Sequence, residues 1–191
     1  MKIIGVLGDI GSGKSFVSKK FNCPVFNADE EVSKLYNKSY SCFKKLKKEF
    51  PKNIKKFPID KKELIKILLK NKSNLKKIIK IIHPLVRIQM NKFLKKNSKK
   101  KLVVLDIPLL VENKLYKKNY ILLYIQADTK EIQSRLKKRK NFNKKIYKDL
   151  KMLQLPLSKK KKLANFIIFN DFKMKNLSKN VKIIKNKILK K

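Results

Sequence analysis

The chain contains very little glycine, arginine and histidine, and it has no tryptophan. Only 4 of its 191 residues are glycine, and His83 is its one histidine. Of 53 basic residues, three are arginine and the other 50 are lysine. A shortage of glycine, alanine and arginine beside abundant lysine, asparagine and isoleucine is typical of an AT-rich genome. We therefore expect the scarce residue types to persist mainly where backbone geometry or chemistry requires them.

Cysteines and long apolar segments are also scarce. Cys23 and Cys42 are 19 residues apart with no C-x-x-C pattern, which argues against a disulfide framework or a zinc site. The N-terminal apolar run, Ile3–Leu7, is too short for a signal peptide, and no stretch approaches the length of a membrane span. We expect a soluble, cytoplasmic protein that has no membrane partner and acts as a monomer.

Acidic residues are few, and the formal net charge is +40. Such a charge usually indicates binding to nucleic acid or to an anionic membrane. Here, however, the lysines run through every segment and do not form one stripe with aromatic residues between them. We interpret the runs Lys44–Lys56 and Lys159–Lys162 as solvated helix faces and loops. We expect no specific nucleic-acid partner, although a selected nucleic-acid-binding face stays open as an alternative.

All four glycines lie in one short segment, Gly5–Gly13, which continues into Lys14 and Ser15. The pattern G-x-x-x-x-G-K-S, between an apolar run and a helical segment, is typical of a loop that binds nucleotide phosphates. In such a loop, glycines allow positive φ, and we expect the amides of residues 10–15 to face the β-phosphate. Lys14 would reach the β- and γ-phosphates, and the Ser15 hydroxyl would bind Mg²⁺. The sequence thus predicts ATP and Mg²⁺ as ligands, with ATP bound by Gly8, Gly11, Ser12, Gly13, Lys14, Ser15 and Phe16.

Short apolar runs alternate with helical patterns along the chain. This alternation predicts an α/β fold with a five-stranded, doubly wound parallel sheet. Ligands of such sheets bind at the carboxyl ends of the strands. The predicted strands are Lys2–Leu7, Pro24–Asn27, Leu102–Asp106, Ile121–Ile125 and Phe166–Phe169. The predicted helices are Lys14–Phe21, a helical region over 29–97 broken near Pro51 and Pro58, Thr129–Lys140, Asn143–Leu153 and Met174–Leu189.

Two aspartates follow predicted strands at the edge where ligands bind. Asp29 could accept a proton from a hydroxyl or help to hold Mg²⁺, or it could simply be the N-cap of the next helix. Asp106, at the end of the third strand, could lie near Mg²⁺ or could be a capping or turn residue. Residue spacing alone leaves both alternatives open.

The scarce histidine and arginines occur in pairs spaced four residues apart. His83-Pro84 predicts a helix start, with His83 and Arg87 on one face where they could bind a phosphate or a carboxylate. A structural cap is the alternative for His83. Arg135 and Arg139 lie on the helix after the fourth strand. They could belong to a lid that closes over the transferring phosphoryl group, or to a merely basic helix face.

The order of these motifs makes the chain resemble the dephospho-CoA kinases, from residue 3 to about 171. The resemblance rests on GDIGSGKS, NADE, HPLVR, LDIPLLVEN and RLKKR, followed by Gln154-Leu-Pro and Phe166–Asn170. It implies a three-layer fold of the phosphate-loop NTPase class, with a helical substrate-binding insertion and a lid. It also implies ATP-dependent phosphorylation of the ribose 3′-hydroxyl of dephospho-CoA, the last step of coenzyme A synthesis.

The resemblance also implies roles for individual residues and segments. Asp29 would be the general base, with Lys14 and Arg139 stabilising charge on the transferring group, and Asp106 would lie near the metal with Ser15. His83, Arg87 and Leu109 would contact the acceptor, and Asn170 would lie near adenine. The implied division is a nucleotide-binding core (1–29, 98–134 and 161–191), a helical insertion that binds the acceptor (30–97) and a lid (135–160).

Some positions depart from the family pattern T-G-G-I-G-S-G-K-[ST]-T. Leu7, Asp9 and Phe16 stand where the family usually has Thr, Gly and Thr. Asn27 and Asn165 replace residues that are often Asp. Asp9 adds a negative charge beside the expected phosphates, so these departures could slow the enzyme.

Two other functions stay open at this point. The chain could be another small-molecule kinase, acting on a nucleoside or a nucleotide. It could also be a basic nucleic-acid-binding protein with incidental ATPase activity, which would show nucleic-acid stimulation and a steep salt dependence of binding.

Overall fold

The computed structural model describes residues 1–139 and 142–190, and it divides into two compact units. The first, which we call the core unit, comprises Met1–Asn27 and the described residues from Lys96 onward. The second, the helical unit, comprises Ala28–Lys95. Lys140 and Asn141, which the predicted lid includes, lie outside the described residues, as does the predicted end of one helix at Lys140.

The core unit is built on one sheet of five parallel strands. The strands are β1 (Lys2–Gly8), β2 (Val25–Asn27), β3 (Leu102–Asp106), β4 (Ile121–Gln126) and β5 (Phe166–Phe169), in the spatial order β2-β3-β1-β4-β5. Every residue of β3 is buried, as a strand covered on both faces requires. The predicted parallel sheet is confirmed, and each strand lies within one residue of its predicted bounds.

The helices follow the strands in the order that a parallel sheet requires. They are α1 (Lys14–Lys20), α2 (Ala28–Lys38), α3 (Tyr40–Glu49), α4 (Lys61–Lys70), α5 (Lys72–Lys96), α6 (Thr129–Lys137), α7 (Lys144–Met152), α8 (Leu157–Leu163) and α9 (Met174–Lys190). The helical unit contains α2 to α4 and nearly all of α5, and the breaks predicted near Pro51 and Pro58 separate α3 from α4.

One face of the central strands of the core unit packs against α1 and α9, which also contact each other. Their buried side chains form one cluster with those of the two helices: Ile4, Val6, Val17, Phe21, Leu102, Val104, Leu123, Ile125, Ile168, Leu177, Val181 and Ile188. Burial of each large apolar side chain contributes about 1.5–3 kcal/mol. The cluster therefore holds the end of β1 and the start of α1, and with them the loop that joins the two.

Two local predictions are wrong. Pro84 does not begin a helix but lies inside α5, which continues for 25 residues. Buried residues at helical spacing on both sides, Ile82 and Val86, stabilise the helix through the proline. Lys160 does not lie on a solvated face, because it is on the unpredicted helix α8 with only 1% of its surface exposed.

In the described part of the chain, no helix combines the length and the apolar character needed to cross a membrane.

Candidate functional site

The glycine-rich loop joins β1 to α1 and has the backbone that the sequence predicts. Gly8, Gly11 and Gly13 all have positive φ, at 147°, 88° and 86°. A Cβ on Gly8 would lie 2.7 Å from the carbonyl oxygen of Ile125, and a Cβ on Gly13 would overlap the amide nitrogen of Asn170. Both positions therefore require glycine for steric reasons as well as for φ.

Asn170 supports the loop from the end of β5. Its side-chain amide donates a hydrogen bond to the carbonyl oxygen of Ser12 at 2.9 Å, and only 1% of its surface is exposed. The Ser12 hydroxyl is buried and has no hydrogen-bond partner among the described residues. A buried hydroxyl usually has a hydrogen-bond partner, and here a phosphate oxygen could be that partner. The glycines that exclude a Cβ keep the loop open for such a group.

Lys14, the first residue of α1, reaches back over the loop. Its ammonium group donates hydrogen bonds to the carbonyl oxygens of Asp9 at 2.7 Å and Gly8 at 3.3 Å. The backbone amides of residues 10–15 were expected to face a phosphate, but two of them make hydrogen bonds within the loop. Ile10 N donates to the Asp9 carboxylate, and Ser12 N donates to the Asp9 carbonyl oxygen. The Lys14 ammonium thus lies against the loop backbone, where a triphosphate would meet it.

Three polar side chains link the phosphate loop to the carboxyl ends of β2 and β3. The Asn27 amide donates to Asp106 Oδ2 at 2.8 Å and to the Ser15 hydroxyl at 3.3 Å. The Asp106 side chain is buried. No group of three or more His, Cys, Asp or Glu residues that could hold a metal occurs in residues 1–139 and 142–190. Mg²⁺ needs no such group, because in nucleotide sites it is held by one or two carboxylates together with phosphates and water. The hard oxygens of Ser15 and Asp106 therefore fit Mg²⁺ bound to a nucleotide.

An arginine–aromatic stack lies beside the same loop and was missed by the sequence reasoning. The Arg135 guanidinium lies 4.1 Å from the centroid of the Phe172 ring, and Arg135 Nε also pairs with Glu131 at 2.9 Å. The Phe172 amide donates to Asn170 Oδ1 at 3.0 Å. A Cβ on Gly13 would be 3.6 Å from the Phe172 ring. The sequence analysis assigned Arg135 either to a lid or to a basic helix face, and nothing in the spacing of the sequence indicated Phe172 as its partner.

The remaining predicted residues of the core unit lie in more exposed positions. Arg139 is exposed in the turn after α6, and its carbonyl accepts from Phe142 N at 3.0 Å. Phe16 is 41% exposed on α1, with the Lys20 ammonium over its ring. Leu109 is half-buried in the turn that follows β3, and its carbonyl accepts two hydrogen bonds from Asn113.

The helical unit carries the other predicted residues. Asp29 is exposed and is the second residue of α2, which begins at Ala28, so Asp29 is not the N-cap of that helix. His83 and Arg87 lie one turn apart on α5, with His83 half-buried and Arg87 exposed. Burial and, to a smaller extent, the charge of Arg87 lower the pKa of His83 below its ordinary value. Both effects favour the neutral form of the His83 ring.

Comparison with known proteins identifies the family. A profile of the dephospho-CoA kinases matches residues 2–176. The chain belongs to the dephospho-CoA kinase family. It is 34% identical to the dephospho-CoA kinase of Bartonella quintana (strain Toulouse), over 100% of both chains. It is also 34% identical to that of Wolbachia pipientis wMel, over 87% of both chains.

Solved structures agree with the fold. A Thermus thermophilus protein, TT1252, superposes with a TM-score of 0.77 at 25% identity, over 97% of each chain. The dephospho-CoA kinase from Campylobacter jejuni superposes with a TM-score of 0.68 at 22% identity, over 100% of this chain and 98% of the other. Membership of the dephospho-CoA kinase family makes this chain an ATP-dependent kinase with a phosphate-loop fold.

Proposed function

We propose that this protein transfers the γ-phosphoryl group of ATP to the ribose 3′-hydroxyl of dephospho-CoA, which gives coenzyme A. The observation that carries the proposal is the match to the dephospho-CoA kinase family across residues 2–176, in a chain whose phosphate loop has the required backbone. The reaction needs a donor site, an acceptor site and a way of excluding water.

The donor site is the phosphate loop. Gly8, Gly11 and Gly13 allow the backbone to approach the phosphates, and the Lys14 ammonium exchanges its carbonyl partners for the β- and γ-phosphate oxygens. Because two carbonyl oxygens already hold that ammonium in place, little side-chain freedom is lost when ATP binds. Mg²⁺, held by Ser15 and with Asp106 nearby, would neutralise developing charge on the phosphates.

Asn170 and the Arg135–Phe172 stack support the proposed position of the nucleoside of ATP. Asn170 fixes the loop through Ser12, and its neighbour Phe172 offers a flat, apolar surface against the Arg135 guanidinium. Aromatic and guanidinium planes are the surfaces on which nucleobases stack. We therefore assign the adenine of ATP to this side of the loop, with Ser12 and Phe16 completing the contacts of the ATP site.

Three of the residues that we assign to acceptor binding, Asp29, His83 and Arg87, lie on the helical unit. Asp29 accepts the proton from the 3′-hydroxyl as its oxygen attacks the γ-phosphorus in line, which is the role of a general base. His83 and Arg87 provide a neutral ring and a fixed cation one helical turn apart, a pair suited to the phosphate groups of dephospho-CoA. Leu109, which lies in the core unit, is assigned as an apolar contact of the acceptor. The helical segment 30–97 is thus the acceptor-binding part of the chain.

The segment 135–160 is proposed to act as a lid over the donor site. Arg139 would stabilise charge on the transferring phosphoryl group, and its exposed position leaves it able to move with the segment. The lid would exclude water, which otherwise competes with the 3′-hydroxyl for the phosphoryl group. We further propose that the enzyme acts as a cytoplasmic monomer. We also propose that it has no specific nucleic-acid partner, because its lysines are spread over every segment.

The decisive experiment is a coupled assay with purified protein, ATP and Mg²⁺. We expect conversion of dephospho-CoA to coenzyme A, with far lower rates for a panel of nucleosides and nucleotides. Faster phosphorylation of a nucleoside would replace the proposal with a different small-molecule kinase. Saturable RNA or DNA binding in a filter assay at physiological salt would contradict the assignment of the lysines to a solvated surface.

A further inference from the structure

The phosphate loop contains a buried carboxylate. Only 6% of the surface of Asp9 is exposed, and both of its carboxylate oxygens are engaged. Oδ1 accepts a hydrogen bond from the backbone amide of Ile10 at 2.7 Å, and Oδ2 pairs with the Lys151 ammonium at 3.2 Å. A negative charge inside a loop that binds a triphosphate opposes binding unless another group neutralises it.

Lys151 comes from a distant part of the chain. It lies in the last turn of α7, inside the segment assigned to the lid, 142 residues after Asp9. Its ammonium also donates to the Tyr147 hydroxyl at 3.4 Å and lies 5.7 Å from the centroid of that ring. Tyr147 thus helps to hold the Lys151 side chain in the direction of the loop.

The electrostatics of the neighbouring groups agree with a close charge pair. Burial is the largest single effect and lowers the pKa of Lys151, but the hydrogen bonds and charges of Asp9 and then Tyr147 together leave that pKa raised. Burial raises the pKa of Tyr124, and the charge of Asp9 raises it further. The charge of Asp9 therefore affects a residue of β4 as well as one of α7, and the Lys151 ammonium pairs directly with its carboxylate.

We propose that Lys151 is a positioning residue for ATP: it neutralises Asp9 and holds that carboxylate toward α7, so that the loop can accept the phosphates. In this role Lys151 acts on the nucleotide through Asp9. The inference rests on the proposed function, which supplies the acceptor, dephospho-CoA. The role of Lys151 can nevertheless be tested by ATP binding alone, with no acceptor present.

The test measures the Kd of Mg·ATP by calorimetry, with no dephospho-CoA present, for single and double variants. Lys151→Ala removes the cation that contacts the Asp9 carboxylate and is expected to weaken binding by about tenfold, since that carboxylate is buried although the lysine side chain is 45% exposed to solvent. Lys151→Arg keeps the cation and is expected to remain within about threefold of the parent. Lys148→Ala, an exposed lysine of the same helix, is the matched control and should not change the Kd.

The double variant Asp9→Asn/Lys151→Ala separates neutralisation from other roles. Because no charge then remains to be compensated, its Kd is expected to return to within about threefold of the parent. A merely structural role would not give such a recovery, since the double variant has lost more contacts than the single one. Failure of the double variant to recover, or a parent-like Kd for Lys151→Ala, would overturn the proposal.

Activity measurements then separate this inference from the assignment of the acceptor. In the coupled assay, Lys151→Ala is expected to raise the KM for ATP and to leave the KM for dephospho-CoA unchanged. If dephospho-CoA is not phosphorylated at all, the proposed function fails while the ATP binding series still decides the role of Lys151.

Discussion

Lys160 and Glu112 form a buried ion pair in the core unit, with Nζ and Oε1 2.7 Å apart and side-chain exposures of 1% and 9%. The same Glu112 oxygen accepts from the backbone amide of Leu155 at 3.0 Å, and Lys160 also donates to Gln154 Oε1 at 3.1 Å. Together these contacts hold the middle of α8, and the chain just before that helix, against the turn that follows β3. This connection anchors the C-terminal end of the segment that we assign to the lid.

Breaking this pair should destabilise the fold. Lys160→Met removes the cation and leaves Glu112 charged and buried, which is expected to lower the free energy of unfolding by about 3–5 kcal/mol. Urea denaturation measures the change. The neighbouring Lys159→Met, at an exposed position, is the control and should stay within about 0.5 kcal/mol of the parent. Equal stability of the two variants would mean that the buried pair contributes nothing.

The Ser15–Asn27–Asp106 connection predicts a response to Mg²⁺. Asn27→Asp replaces an amide donor 2.8 Å from Asp106 with a second carboxylate, so the two negative charges repel each other when no cation is present. We expect the variant to have a lower melting temperature than the parent in EDTA, and to gain more from millimolar Mg²⁺ because two carboxylates bind the cation more strongly.

Thermal melting with and without Mg²⁺ measures this difference. Asn27→Ala is the control, because it removes the amide without adding charge and should gain no more from Mg²⁺ than the parent. An identical Mg²⁺ response of Asn27→Asp and Asn27→Ala would argue against a cation site at this edge of the sheet.

The sequence was enough to predict the strands and the phosphate loop, because these depend on local patterns. Short, continuous apolar runs are typical of parallel strands that are covered on both faces. The scarce glycines occur where the backbone needs positive φ. At Gly13 the tertiary structure adds a second reason for glycine that the sequence does not show. The side chain of Asn170, which is distant in sequence, leaves no room for a Cβ at this position.

Residues whose role depends on a distant partner could not be predicted. Lys160 belongs to a run of four lysines, and only Glu112, brought in by another part of the chain, explains why this one is buried. Asp9 was noted as a departure from the family pattern, but its partner Lys151 on α7 could not be read from spacing. Pro84 is a further case, because its usual preference for a helix start was overruled by the buried side chains on both sides of it.

His83 predicts a pH dependence of stability. Its pKa is lowered from the ordinary value of 6.5 by burial and then by Arg87, so below pH 6.5 the unfolded chain binds a proton that the folded protein excludes. The contribution of His83 is therefore complete above pH 6.5 and is lost as the pH falls toward the folded-state pKa. The slope should be below about 1.4 kcal/mol per pH unit, because the folded and unfolded states differ by less than one bound proton at His83.

Urea denaturation of the parent and of His83→Gln between pH 7.5 and 5.5 measures this contribution. Glutamine does not titrate, so the parent should lose stability more steeply than the variant over this range. Parallel losses in the two proteins would show that other groups cause the whole pH dependence.

Asp29 is the residue on which the proposed mechanism depends most. Asp29→Asn should lower kcat by at least about a hundredfold if the carboxylate is the general base, while the Kd of ATP stays unchanged, because the phosphate loop is not altered. Glu30→Gln is a matched control: both acids lie in the first turn of α2, where each interacts favourably with the helix dipole by about 0.3–1 kcal/mol. The two variants should therefore lose similar stability in urea but differ widely in turnover. Near-normal turnover in Asp29→Asn would reduce Asp29 to a first-turn acid that stabilises its helix, and the proton would then have to leave the 3′-hydroxyl by another route.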